Sequence, residues 1–299
     1  MKDIKGIAQA ELDFWPSFQQ INQAMPHLMP YADIHRAFGE TYQGGHLSAW
    51  INDYFQLSNI YPCLQVANTP LQFTAQDDLP HGTAYEMYIH QTAKIPTRDN
   101  LHDWFGACVW SVFPKTKSML NAKHIAHFAH QNTSNGRNRV RDTITVFDEN
   151  GAIFVVSEDT IGTQIGDALV AFDWQNCLVN TRQYWYHLLQ PDTHAKVFVF
   201  GHALLEQLIS PYKSLCAHTL IVHVPKAFFE LSQPEQLKRI DEILCNQLND
   251  FLVEGVTPKH LHPLPILGVP HFWDNADPSF YQDAFVFRAG RQKQAKTTT

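Results

Sequence analysis

His102 and Asp103 stand side by side, and an imidazole beside a carboxylate can move a proton near neutral pH while the carboxylate holds the ring in one tautomer. Arg98 precedes the pair by four residues, and Lys117, Asn121 and Arg141 follow it. Their guanidinium, ammonium and amide donors suit a phosphate or a carboxylate. On a helix, Lys117, Asn121, His124 and Phe128 form one stripe, which sets His124 beside a cation and an amide and makes it the third candidate for catalysis. His202 follows Gly201 at the start of a helical pattern, with Glu206 one turn on, and joins the substrate-binding candidates. A helix cap or a buried histidine is the plainer reading of His202. For His127 and His130 the plainer reading is a solvated polar face, and for Cys108 an inert core thiol.

No metal site is assigned from the residues alone. His102, Asp103, His124 and His127 are the ligands that a metal-dependent enzyme would use. However, HxxHxxH on one helix is a weak pattern, and there is no HExxH, HxxEH or four-cysteine arrangement. Walker, GxGxxG and GxSxG motifs are also absent, which removes the main sequence support for nucleoside triphosphatases, dinucleotide enzymes and α/β-hydrolases. No cofactor is named by any of this.

The elements that must position these groups can be read from caps and periodicity. Asn100 is placed to cap a helix starting at Leu101, with Asp103 in its first turn and Leu101, Phe105, Cys108 and Val112 on its core face. The opposite face, with Gly106, Ala107 and Trp110, is also poor in charge, so the helix is expected to be covered on both sides. Pro114 ends this helix and opens a second, expected from about Lys115 to His130. If the two helices fold back on each other, His102 comes within reach of His124 and His127. The segment from Asn135 to Asp142 reads as an arginine-rich loop with Arg137, Arg139 and Arg141 on one side. Thr143 to Phe147 and Ala152 to Val156, around Asp148-Glu149-Asn150-Gly151, read as a β-hairpin. Lys196 to Phe200, Ala203 to Ile209 and Thr219 to Val224 read as strand, helix, strand, and Pro234 to Val253 as an amphipathic core helix.

Residues 96–142 hold 7 of the 22 Lys and Arg but 3 of the 29 Asp and Glu, so a basic stretch sits on a chain of net charge −7. The bulk charge argues against a protein that coats nucleic acid, while the local patch suits an anion. Five scattered cysteines without a CxxC pair read as reduced thiols, and neither a signal peptide nor a membrane-spanning run is evident, so the expected location is cytoplasmic. At 299 residues, 44% of them hydrophobic, the chain can bury a sizeable core.

The run Ile95-Pro96-Thr97-Arg98-Asp99-Asn100-Leu101-His102-Asp103-Trp104-Phe105, with Trp110, Phe113 to Lys117 and Asn121-Ala122, resembles the bacterial family known as domain of unknown function 3025. The resemblance continues through Arg141-Asp142, Phe147 to Gly151, Phe200 to Leu204, Pro263 to Pro270 and Val286 to Arg288. Two positions depart from the family pattern: Gly106 stands for an Asn and His271 for a Gly. The family implies no activity.

The expected fold is therefore α+β, mainly helical, with a small sheet built around the central hairpin. A helical segment over residues 1–80 precedes a core domain over 81–291 and a disordered tail over 292–299. The leading functional expectation is a hydrolase-like enzyme for a phosphate- or carboxylate-bearing substrate. His102, Asp103 and His124 would be catalytic, and Arg98, Lys117, Asn121, Arg141 and His202 would hold the small anionic ligand. A non-catalytic module binding nucleic acid or an acidic protein through the same basic face is the alternative, with nucleic acid not favoured, and a metal-dependent hydrolase is the second. Oligomeric state is left open.

Overall fold

The computed structural model of the protein describes residues 14–22, 25–64, 69–128, 138–187 and 190–290. A helical stretch over 14–19 and a 3-10 turn (Pro26–Tyr31) precede helices α1 (Ala32–Thr41) and α2 (Leu47–Leu57), which are followed by the short strands β1 (Cys63–Leu64), β2 (Thr69–Pro70) and β3 (Gln72–Ala75). Helix α3 (Tyr85–Thr92) leads into β4 (Lys94–Thr97), which pairs parallel with β3 and delivers the chain to α4 (Leu101–Val112) and α5 (Pro114–Ala126). Then come α6 (Arg139–Asn150), β5 (Gly151–Ser157), α7 (Thr160–Val170), β6 (Ala195–Val199), α8 (His202–Gln207), β7 (Cys216–Val224), α9 (Gln233–Phe251) and β8 (His262–Pro265).

The main sheet has the order β6-β5-β7-β8, with β5 parallel to β7 and the two outer pairings antiparallel. Every residue of β5 and of β6 is buried, which accounts for their largely apolar composition: both faces of the sheet's centre are covered, and even Lys196 of β6 is enclosed. The protein is α+β and mainly helical, with strand, helix and strand falling on β6, α8 and β7 as their composition indicates. Ala152 to Val156 lies at the heart of this sheet.

Thr143 to Phe147, expected to be the other half of a hairpin, is helical. Val140, Thr143, Ile144 and Phe147 are buried together at helical spacing, and the Asn138 side chain accepts from the backbone of Val140 and Arg141 to start α6. The β-branched run misled because one buried stripe outweighs a weak residue preference. Asp148-Glu149-Asn150 is thus the end of a helix running straight into β5. Arg139 and Arg141 lie on α6 instead of along an extended loop, and Arg137 and His130 fall outside the described residues.

Helix α4 begins as its cap dictates, the Asn100 side chain accepting from the Asp103 backbone N–H at 2.8 Å. Trp104, Phe105, Ala107, Cys108, Val109 and Trp110 are all buried, so it is indeed enclosed on two sides. The first amides of α5 lack a cap of their own and are served by Asp241 of α9, which accepts from Lys115 N at 3.0 Å, Thr116 N at 2.9 Å and Thr116 Oγ1 at 2.7 Å. The amino-terminal helices close the other side of α4: Trp104 Nε1 donates to His35 Nδ1 at 3.2 Å, and Tyr31 Oη donates to the Val199 carbonyl at 2.6 Å. Among the described residues no helix is long and apolar enough to cross a membrane.

Candidate functional site

The outward-turned side of α4 forms one wall of a cavity of about 400 Å³. Its lining draws on β4 (Pro96, Thr97), α3 (Tyr85, Glu86), α4 (His102, Asp103), α5 (Lys117, Asn121), α6 (Asp148, Glu149) and α8 (His202). Six of the eight residues singled out from the sequence, Arg98, His102, Asp103, Lys117, Asn121 and His202, meet there. His124 and Arg141 are not in its lining. They bond to each other instead, Arg141 Nε donating to His124 Nε2 at 3.3 Å while the guanidinium lies over the Phe128 ring. Burial, then the Arg141 charge, brings the His124 pKa down to about 4.

Asp103 does not partner His102. Its carboxylate accepts from the Arg98 backbone N–H at 2.6 Å, from Arg98 Nε at 3.0 Å and from Arg98 Nη2 at 2.8 Å. This fork-to-carboxylate pairing holds the guanidinium at the cavity edge and raises its pKa, first through the hydrogen bond. Neighbours in a helix point 100° apart, which is why adjacent His102 and Asp103 separate. The carboxylate that does reach His102 is Glu206 of α8, at 3.0 Å from Nδ1. The histidine opposite it is His202 and not one on α5, with ring centroids 4.5 Å apart.

Hydrogen bonding decides the tautomers of this pair. A carbonyl oxygen can only accept, so His202 Nδ1, 2.8 Å from the Asp148 carbonyl, carries a proton. His102 Nδ1 donates to Glu206 by the same reasoning. In the neutral rings both Nε2 atoms therefore present lone pairs, and they face each other at 3.1 Å. Glu149 Oε2 lies 3.7 Å from His202 Nε2, and the ligand atoms of His102, Glu149 and His202 all fall within 4.8 Å of one another. Burial, the largest influence, lowers the His202 pKa.

Behind this cluster, Lys117 Nζ donates to Asp148 Oδ1 at 2.6 Å, in a pair whose side chains are 10% and 18% exposed. Burial alone would raise the Asp148 pKa, but the Lys117 charge, helped by His202 when that ring is protonated, outweighs it and brings it down. Such a pair is costly to break from one side. Asn121 Nδ2 donates to the Glu86 carbonyl at 3.0 Å and to Glu86 Oε2 at 2.6 Å, while burial raises the Glu86 pKa. Asn121 Oδ1 is buried without a hydrogen-bond partner among the described residues. Glu86, Asp148 and Glu149 were missed in the sequence because Asp148-Glu149 reads as a turn and Glu86 as an ordinary helix carboxylate. The Gly201-His202…Glu206 spacing did mark the α8 contribution.

Glycine at 201 makes the cluster geometrically available. A Cβ there would lie 2.6 Å from the Asn150 nitrogen and 2.5 Å from that of Gly151, so only a residue without one lets the β6–α8 turn press onto the α6–β5 turn. Gly201 N donates to the Gly151 carbonyl at 2.8 Å, and His202 and Glu149 become neighbours as a result.

A family model described as a protein of unknown function (DUF3025) matches residues 71–291. The chain belongs to this family. The matched span contains every residue of the cavity named above. Comparison with curated proteins and with solved structures gave no match. His271 has a φ of 72°, in the left-handed region in which glycine is at ease.

Proposed function

We propose that this member of the family is a hydrolase-type enzyme for a small substrate bearing a phosphate or carboxylate, and that the cavity beside α4 is its active site. The observation that carries the reading is the placement of His102 inside that cavity, with Nδ1 held by Glu206 and Nε2 left facing His202. A carboxylate-anchored imidazole whose other nitrogen opens on a cavity has the arrangement of a proton acceptor. A water at His102 Nε2 would give that nitrogen its proton as the oxygen bonds to phosphorus or carbonyl carbon. The bond to the leaving group then breaks, and the leaving group departs with its electron pair and takes the proton back from His102. Arg98, fixed by Asp103 along one edge of its guanidinium, keeps its remaining N–H groups for an anionic group, and Lys117 adds a second cation deeper in.

A nucleic-acid or acidic-protein surface is the weaker reading. Arg98 is clamped to Asp103, Lys117 is buried against Asp148, and Arg141 covers Phe128, so these cations do not form an open stripe.

The test is a thermal-shift and turnover screen of phosphate monoesters, nucleotides and carboxylate esters on the wild type, Arg98→Ala and His102→Ala. A hit should raise the melting temperature of the wild type, and that shift should shrink in Arg98→Ala. Turnover should fall by roughly 100-fold or more in His102→Ala. Ligand shifts that are the same in all three proteins, with no turnover, would remove both the site and the activity.

A further inference from the structure

We propose that His102, Glu149 and His202 form a binding site for one divalent transition-metal ion of the zinc class, open on its fourth side to the cavity. Three observations point there independently. The first is that, with both rings neutral, the two Nε2 lone pairs face each other across 3.1 Å and need a proton or a metal ion between or beside them. A tetrahedral ion with bonds of about 2.0–2.1 Å sets its ligand atoms about 3.3 Å apart, close to the 3.1 Å between the imidazoles and the 3.7 Å from His202 to Glu149.

The second observation is the outer layer. A metal-bound histidine characteristically donates its other N–H to a carboxylate or a backbone carbonyl, which fixes the ring and raises its basicity. Here His102 has the carboxylate of Glu206 and His202 the carbonyl of Asp148, and both rings thereby turn Nε2 inward. The rings come from α4 and α8 and the carboxylate from α6, elements that share no local sequence reason to converge.

The third is charge. The cavity is lined by Arg98 and Lys117 but by Glu86, Asp103, Asp148 and Glu149, which leaves two negative charges in excess when all are ionised. A site built to hold an anion is poorly served by that balance, and one dication removes it. Two imidazoles and a carboxylate select a borderline ion over Mg²⁺ or Ca²⁺, which prefer all-oxygen shells. Three protein ligands with an open position are the pattern of a catalytic and not a structural zinc. With the ion bound, His102 would be a ligand in place of the proton acceptor described above, and the ion would acidify a water at its open position to serve as the nucleophile. The inference deepens the hydrolase reading and places itself in the same cavity, but metal binding itself requires no turnover.

The experiment uses the full-length chain without a histidine tag, stripped with a chelator and titrated with Zn²⁺ and Co²⁺. One equivalent of either ion should bind, Zn²⁺ should raise the melting temperature, and Co²⁺ should give the visible absorption of tetrahedral coordination. Affinity should fall at least 100-fold in His202→Ala and in Glu149→Gln, and by 10-fold or more in Glu206→Gln, which alters only the outer layer. Where a variant fails to fold, X-ray absorption on the wild-type Co²⁺ protein reads the ligands directly and should report two imidazoles. The proposal is overturned if the wild type binds no stoichiometric ion, if absorption shows no imidazole, or if folded His202→Ala binds as tightly as the wild type. Metal binding without turnover of any substrate would support this site while sinking the hydrolase reading. Ligand binding and turnover in metal-free protein would do the reverse.

Discussion

Single side chains in this protein are defined by what their hydrogen-bonding atoms face. His102 matters less for its neighbour in sequence than for having one nitrogen on Glu206 and the other opposite His202. Asp103, adjacent in the chain, belongs to Arg98. At the same scale, His271 holds a left-handed backbone conformation that costs a residue with a Cβ on the order of 1 kcal/mol. His271→Gly is therefore expected to leave stability unchanged or raise it by up to about 1 kcal/mol, the gain being offset by glycine's greater freedom when unfolded. Chemical denaturation checks this, and a loss of more than 1 kcal/mol would mean that the ring, 4.6 Å from that of His187, contributes more than the backbone strain costs.

At the scale of elements, the site exists because two strand–helix junctions abut. The helix α6, with Glu149 in its last turn, ends at Asn150 directly before β5, and the turn after β6 carries His202 into α8, both at the same end of the antiparallel β5–β6 pair. Gly201 is the contact point. Gly201→Ala should force the turns apart, costing roughly 1–3 kcal/mol through overpacking, and should weaken zinc binding more than a surface alanine of equal stability effect would. Denaturant midpoints and zinc titrations of the same protein check it, and an unchanged zinc affinity would show that the junction does not set the ligand spacing. The cap that Asp241 supplies to α5 works in the same way, because a side chain from α9 fixes where the helix bearing Lys117 and Asn121 begins.

For the molecule as a whole, the amino-terminal helices carry buried neutral histidines into the core. His27 and His35 are each pushed down to about 4 by burial, which disfavours the charged ring. No charged side chain contributes to either shift, and the partners described are Phe272 for His27 and Trp104, Phe105 and Phe18 for His35. Above pH 6.5 these rings are neutral both folded and unfolded and leave stability flat. As pH falls below 6.5 the unfolded chain takes up protons that the folded chain refuses until about pH 4, so stability declines across that window and levels off beneath it. The cost is on the order of 3 kcal/mol for each ring. His27→Leu should shrink the stability difference between pH 7 and pH 4.5 by roughly 2 kcal/mol, most of that cost, measured by urea denaturation at both values. An undiminished difference would place the acid sensitivity elsewhere.

Local signals sufficed for a good part of this molecule. The Asn100 cap, Pro114 and the apolar stripes marked α4, α5 and α9, and the amphipathic pattern with mixed strands indicated a mainly helical α+β fold. These are properties of contacts a few residues apart, which a sequence displays directly. About half of the cavity's polar residues were recognisable too, since a histidine and an aspartate on a helix apolar around most of its girth need a reason to be there. Tertiary structure alone decided the rest. Whether residues 143–147 formed strand or helix depended on which face found a buried partner, and both patterns fitted the letters. The partnership of His102 with His202 and Glu206 joins residues about a hundred positions apart, and Glu149 enters only because Gly201 lets two turns touch. Spacing along a chain has no term for such meetings, because they are set by how layers pack and not by any periodicity within an element.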